Sequence, residues 1–268
     1  MPQNITQTQF QTKFKIDRTA PATALVVGAS QGIGLGFVKL LLEDTAIAKI
    51  YATYRKPETA QALMALSQWG GDRLVLLKMD VTDEAQIESG IQHIQAAGDK
   101  LHVAIYCVGM LHDHQFQPEK SLRSLNKDQL LRYFEVNAIG AGLLAKHLMA
   151  VFRHEEPSIF ATISAKVGSI GDNQLGGWYG YRASKAALNM LMKTAALEYA
   201  RRCPNTQVIL LHPGTTDTRL SQPFQRNVPP EKLFTIDRTV QQLWKVLSQI
   251  EPGETGQFLS WDGSELPW

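Results

Sequence analysis

Apolar residues along this chain fall into two alternating kinds of run. Short, nearly continuous runs cover residues 24–27, 49–54, 74–79, 101–108, 158–163, 207–211 and 257–259. Between them lie longer stretches in which apolar positions recur three and four residues apart: 33–42, 58–68, 84–96, 127–152, 181–201 and 237–250. The first kind predicts strands, and the second predicts helices that bury one face. A strand that is apolar on both sides must be covered on both sides. The alternation therefore predicts a parallel sheet between two helical layers, a doubly wound α/β fold. Thr82 in "TDEAQI" and Asn126 in "SLNKDQL" are the predicted N-caps of two of the helices. No repeat, low-complexity tract or linker divides the chain, which predicts one domain over residues 22–268 behind a Gln- and Thr-rich polar tail, residues 1–21.

Composition narrows the classes of function. The chain has 268 residues and 44% hydrophobic content, enough for a large core. Its formal charge is only +2, with no run of five like charges, so neither nucleic acid nor an anionic membrane is implied as a partner. No apolar run nears the ~20 residues that span a bilayer, and the first twenty residues lack the apolar segment of a secretory signal. Cys107 and Cys203 are too few for a disulfide framework, which points to a reducing, cytoplasmic setting. His112, Asp113 and His114 share one short loop, and such a cluster reads as solvated side chains; no metal site is predicted.

Open sheets of this kind bind ligands beyond the carboxyl ends of their strands. After the first run comes "GASQGIG", with Gly28, Ser30, Gly32, Ile33 and Gly34. Glycines there allow a tight turn and close backbone approach, so a pyrophosphate can meet the amide-rich start of the next helix. The second run ends at Tyr54 and Arg55 with no Asp or Glu to take a ribose 2′-hydroxyl. A guanidinium suits a 2′-phosphate, so NADP(H) is expected over NAD(H), unless Arg55 is simply solvated. After the third run, Asp80 and Val81 stand where an adenine would lie, with Asp80 open to a plain turn role as well. Tyr181 and Lys185, four residues apart, share one face of a helix. A phenol loses its proton near pH 10, and an adjacent ammonium lowers that value. Such a tyrosine can exchange a proton with a carbonyl oxygen.

"GASQGIG", "DVTD", "VNAIG", "YRASKAALN" and "HPGTTDT" follow one another in the order found in the short-chain dehydrogenase/reductases, and the chain resembles that family from about residue 22 onward. "VGSIGDNQLGGWYGYRASKAALNML", "HPGTTDTRLSQPF" and "GQFLSWDGSELPW" resemble more narrowly its C-factor and sniffer-type carbonyl reductase members. The resemblance implies a single Rossmann-type domain with a seven-stranded parallel sheet, and NAD(P)-dependent oxidoreductase activity on a small carbonyl compound. It implies that Gly28, Gly32 and Gly34 hold the pyrophosphate, and that Asp80 bonds the adenine. Tyr181 would be the acid/base, Lys185 would tune it and bind the nicotinamide ribose, and Asn137 would anchor a proton-relay water. Pro213, Gly214 and Thr218 would flank the nicotinamide, and Gly109 would face it. Thr218 could equally be a turn residue, and Asn137 a helix-interior amide making a structural bond. It also implies a homodimer or homotetramer built through the long helices 127–152 and 181–201.

Two departures stand out. The family's "NNAG" is "YCVG" here, with Cys107 and Val108 before Gly109. Its paired serines on the fifth strand are Ser164 and Ala165, so the hydroxyl that polarises the substrate would come from Ser164, from Ser169, or from neither. Trp178 and Tyr179 are expected to line a substrate pocket or to pack the loop. The leading expectation is an NADPH-dependent reductase of ketones, aldehydes or quinones. The alternative is a cofactor-binding signalling protein with little turnover, favoured by Ala165.

Overall fold

The computed structural model describes residues 22–268, and the expected tail lies outside the described residues. In chain order the elements are β1 (Ala22–Val27), α1 (Gly32–Glu43), β2 (Ile47–Tyr54), α2 (Gln61–Gly70), β3 (Leu74–Lys78), α3 (Glu84–Ala96) and β4 (Val103–Tyr106). Then come α4 (Lys127–Phe134), α5 (Gly140–Phe152), β5 (Ser158–Ile163), α6 (Tyr179–Arg202) and β6 (Thr206–His212). The short strands β7 (Thr215–Thr216) and β8 (Leu233–Phe234), α7 (Ile236–Leu247) and β9 (Gln257–Ser260) complete the described chain. Seven strands form one sheet in the order β3-β2-β1-β4-β5-β6-β9, and β7 pairs with β8. Every pairing in the large sheet is parallel. These seven are the seven predicted runs.

The reason is visible strand by strand. β1, β4 and β5 are buried at every position, and side-chain alternation sends neighbours into opposite layers. Val26 packs into a core with Phe37, Leu41, Val240 and Leu243 from α1 and α7. Leu25 and Val27 pack into the other, with Ile91, Leu144, Leu148, Leu188 and Met192 from α3, α5 and α6. Each such side chain contributes about 1.5–3 kcal/mol by leaving water. The strand order reverses between β1 and β4, so a crevice opens between the turns that follow them.

Local departures from the sequence expectation have clear causes. The helix predicted over 127–152 is interrupted by a π turn, Glu135–Ile139, which carries Asn137. Thr82 is not the N-cap of α3: Asp83 accepts from the N–H groups of Ala85 and Gln86. Thr82 instead donates its hydroxyl to Asp80 Oδ1 at 2.8 Å, because Asp80 folds back over its own turn. Asn126 caps α4 as expected, accepting from Gln129 N at 3.0 Å. Pro57 opens a separate 3-10 turn, so α2 begins only at Gln61. No helix among the described residues is long and apolar enough to cross a membrane.

Candidate active site

The crevice is built from backbone that only glycine permits. Gly28 has φ +82, and a Cβ there would stand 2.7 Å from Val108 Cγ2. A Cβ on Gly34 would stand 2.2 Å from the Gly28 carbonyl oxygen, so α1 sits directly on the turn. Thr53 holds the turn from β2, accepting from Gly28 N at 3.0 Å. No side chain caps α1 and its first turn carries no acidic residue, which leaves its positive end for an anion. Ser30, Gly32 and Ile33 border this opening half-buried. Thr218 leans on it, with its methyl 3.4 Å from where a Gly32 Cβ would be. The cradle fits a pyrophosphate.

The rim groups follow the strand ends. Arg55 is exposed at the end of β2 and joins no ion pair among the described residues. Asp80 uses Oδ1 for Thr82 N, at 3.1 Å, and for the Thr82 hydroxyl. Val81 is buried, its carbonyl 2.8 Å from where a Cβ on Gly140 would lie. Gly109 is exposed after β4, and a Cβ on it would stand 3.6 Å from Lys185 Nζ. Beyond β6, Pro213 leads into Gly214, which has φ +71 against the edge-to-face Phe234–Trp261 pair.

On the other side stands α6, entered through Gly176, Gly177 and Trp178, three successive residues with φ of 64, 65 and 51. Trp178, the cap residue, supplies no side-chain cap. Glu119 from the loop before α4 supplies it, accepting from Gly180 N through Oε2 at 3.2 Å and from Trp178 N through its carbonyl at 2.6 Å. Glu119 is buried, and its Oε1 has no hydrogen-bond partner among the described residues. The next residue is Tyr181, whose ring packs edge-on against Tyr133 and Trp178, and Phe224 packs against Trp178 at 5.1 Å. Leu111, Tyr133 and Tyr181 form an apolar cluster with Met110, Ala165, Val167, Leu220 and Phe224.

Lys185 lies one turn behind Tyr181, with Nζ 6.0 Å from its ring centroid and 3.0 Å from the Ile163 carbonyl, to which it donates. Burial pushes the Tyr181 phenol well above its ordinary value, and the Tyr133 phenol adds to this. Burial also lowers Lys185 to about 8. Without bound cofactor the phenol is therefore neutral and holds its proton. The sequence expectation of a phenol lowered by Lys185 is not met here, because burial dominates and raises the phenol.

Asn137 uses its whole amide. Its Oδ1 accepts from Met110 N at 2.7 Å, and its Nδ2 donates to the Met110 carbonyl at 2.9 Å and to Ser184 Oγ at 3.0 Å. This clamps the turn after β4 to α6. Ser164 does not join the cluster: its hydroxyl donates to Asn189 Oδ1 at 2.6 Å. Ser169 donates to the Trp268 carbonyl at 3.3 Å and accepts from Asp172 N. Ala165 packs against the cluster instead. Strand alternation is the cause, since consecutive residues 164 and 165 turn to opposite sides. Cys107 is a buried thiol raised by that burial. His112 faces Phe224 and the Arg219 carbonyl.

Sequence reasoning missed Glu119, Tyr133, Phe224 and Ser184. Ser184 adjoins Lys185 and was within reach of a helix-face argument. Nothing local marks Glu119, a lone acid sixty-one residues before its partner.

A carbonyl reductase from chicken fatty liver, solved with NADPH bound, superposes with a TM-score of 0.82 at 28% identity, over 93% of this chain and all of that one. Benzil reductase IRC24 of Saccharomyces cerevisiae is 27% identical over 236 residues, 85% of this chain and 84% of its own length. The C-signal protein of Myxococcus xanthus is 28% identical over 148 residues, 55% of this chain and 84% of its own. The profile of the short chain dehydrogenase family matches residues 22–229. With a seven-stranded parallel sheet, a glycine cradle at its switch point and this match, the chain belongs to the short-chain dehydrogenase family of NAD(P)-dependent oxidoreductases.

Proposed function

We propose that the chain is an NADPH-dependent carbonyl reductase in which Tyr181 gives the proton. The observation that carries this reading is the Tyr181 hydroxyl. Among the described residues it is the one phenol of the apolar cluster without a hydrogen-bond partner, and burial keeps it protonated. The coenzyme, when bound, supplies the hydride that reduces the carbonyl carbon. Gly28, Ser30, Gly32, Ile33 and Gly34 would hold its pyrophosphate, Asp80 and Val81 its adenine, and Pro213, Gly214, Thr218 and Gly109 would border its nicotinamide. Arg55, unpaired at the end of β2, favours the 2′-phosphate of NADP(H). Lys185 would hold the ribose, and its charge would stabilise the phenolate left after proton transfer. Asn137 fixes the Met110 turn beside both groups.

Exposed apolar side chains on the long helices, Leu131, Ile139, Met190, Leu191 and Leu197, support a homodimer or homotetramer. The free thiols Cys107 and Cys203 suit a cytoplasmic setting. The test is NADPH consumption with aromatic ketones, wild type against Tyr181→Phe. A drop of about 10²–10⁴-fold is expected, and equal rates would sink the reading. The second reading, a cofactor-binding protein without turnover, is favoured by Ala165. It gains if NADPH raises the Tm while no carbonyl is consumed.

A further inference from the structure

A carbonyl that accepts hydride develops negative charge on oxygen, and each directed donor at that oxygen is worth a large rate factor. The donors around Tyr181 can be inventoried one by one, since a hydroxyl has a single proton to give. The Tyr133 hydroxyl gives its proton to the Leu111 carbonyl at 2.6 Å. Ser164 gives its proton to Asn189, Ser169 to Trp268, and Ser184 to the Tyr181 carbonyl at 2.8 Å. Ser221 gives its own to Thr216 or Thr218 carbonyls. Asn137 has both amide groups engaged with Met110 and Ser184. Ala165, the residue after Ser164, packs against the cluster that holds Tyr181 and brings only a methyl.

We propose that, among the described residues, a substrate carbonyl here meets a single hydroxyl donor, that of Tyr181, and that the site therefore reduces carbonyls already activated by an electron-withdrawing neighbour. This rests on the reductase reading above. In the reaction the carbonyl carbon takes hydride, with its electron pair, from the reduced nicotinamide coenzyme, which is oxidised. The oxygen takes the Tyr181 proton, and a ketone leaves as a secondary alcohol. With one donor fewer at the oxygen, the substrate's own electron withdrawal must carry more of the developing charge. Flat aromatic carbonyls suit the walls, since the Trp178 and Tyr133 rings pack edge-on against the Tyr181 ring and Phe224 packs against Trp178.

The experiment compares para-nitroacetophenone with para-methoxyacetophenone, which differ in electron demand more than in shape. Wild type should strongly prefer the nitro ketone. Ala165→Ser should raise kcat on the methoxy ketone by about 10²–10³-fold, the worth of one such donor, and on the nitro ketone by clearly less. Ala165→Cys, similar in size but a weak donor, should leave the preference standing. A readout independent of turnover is the infrared carbonyl stretch of acetophenone bound with NADP⁺. It should fall to lower frequency in wild type, fall further in Ala165→Ser, and return to its unbound position in Tyr181→Phe. Equal wild-type rates on the two ketones would overturn the proposal while leaving a working reductase. So would a stretch that Trp178→Phe restores, since the indole N–H would then be a second donor. If Tyr181→Phe matches wild type in both rate and stretch, the reductase reading itself falls.

Discussion

Beneath the amino ends of the strands, Glu156 takes Lys100 at 2.7 Å and His102 at 2.8 Å, and Asp99 takes Lys49 at 2.8 Å together with the Tyr51 hydroxyl. Lys100 and His102 hold the Glu156 carboxyl down at about 2. At the carboxyl ends of the same sheet Lys166 pairs with Asp172 at 3.3 Å, but around the crevice several groups lack a partner among the described residues. The positive end of α1 is uncapped, Arg55 is unpaired, one Glu119 oxygen has no partner, and Lys185 is buried with only a carbonyl to bond. Burial alone does not make this difference, because Lys185 is more deeply buried than any of the matched charges. What differs is whether the protein itself provides the counter-group. The charges at the amino end are matched by folding, and those around the crevice are not.

Lys185→Met breaks the comparison most strongly. The folded pKa lies at about 8, below the ordinary 10.5, so the folded protein sheds this proton before the unfolded chain does. Stability should therefore rise as pH climbs from about 8 to about 10.5, and below about 8 the cost is present in full, ~3 kcal/mol at 1.36 kcal/mol per pK unit. Denaturant titration of the cofactor-free protein at pH 7 should find Lys185→Met more stable by about that amount, with the rise above pH 8 gone and turnover reduced by at least ~10²-fold. A less stable variant would contradict the account of Lys185 as an uncompensated charge.

Glu119→Ala removes the cap of α6, and the loss should be about 1–2 kcal/mol in chemical denaturation, with a fall in kcat that exceeds any change in KM. Unchanged kcat would mean that Glu119 holds the helix without placing Tyr181. Arg55→Ala should weaken NADPH binding about 10-fold, ~1.4 kcal/mol for one charge-assisted contact, and leave NADH binding as it was. Calorimetric titration with both coenzymes decides it. The smallest effect belongs to the amino end. Glu156 has its folded pKa depressed, so its contribution is present above about 4.5 and disappears as pH falls toward about 2. Solvent screening limits it to ~1 kcal/mol, and Glu156→Gln should cost no more than that at pH 7 while leaving ketone reduction intact.

The layers of the fold were legible because their cause is local: runs such as 24–27 and 158–163 are apolar at consecutive positions. Gly28, Gly34, Tyr181 and Lys185 were legible because each carries its requirement in its own spacing. The π turn at Asn137 was not, since the apolar periodicity of 127–152 continues through it. The cap of α3 moved by one residue because Thr82 and Asp83 are both competent and only the fold decides that Asp80 claims Thr82. That residues 164 and 165 face opposite ways was readable from strand geometry, but the partner that engages Ser164, Asn189 on α6, was not. Glu119 was invisible for the same reason: its meaning depends on a helix that begins far along the chain.

The run of positive φ at Gly176, Gly177 and Trp178 has a consequence for how this protein can vary. Ahead of the right-handed α6, the chain briefly takes the opposite hand, and that reversal carries the Trp178 indole over Tyr181. An L-residue held in this hand costs about 1–2 kcal/mol, a sum the fold bears once, at the tryptophan. At the two preceding positions the genetic code offers a single achiral option. The last three residues of the loop thus form a stereochemical joint, in which an L-residue at Gly176 or Gly177 meets open space or ordinary contact and is strained chiefly by the hand of its backbone.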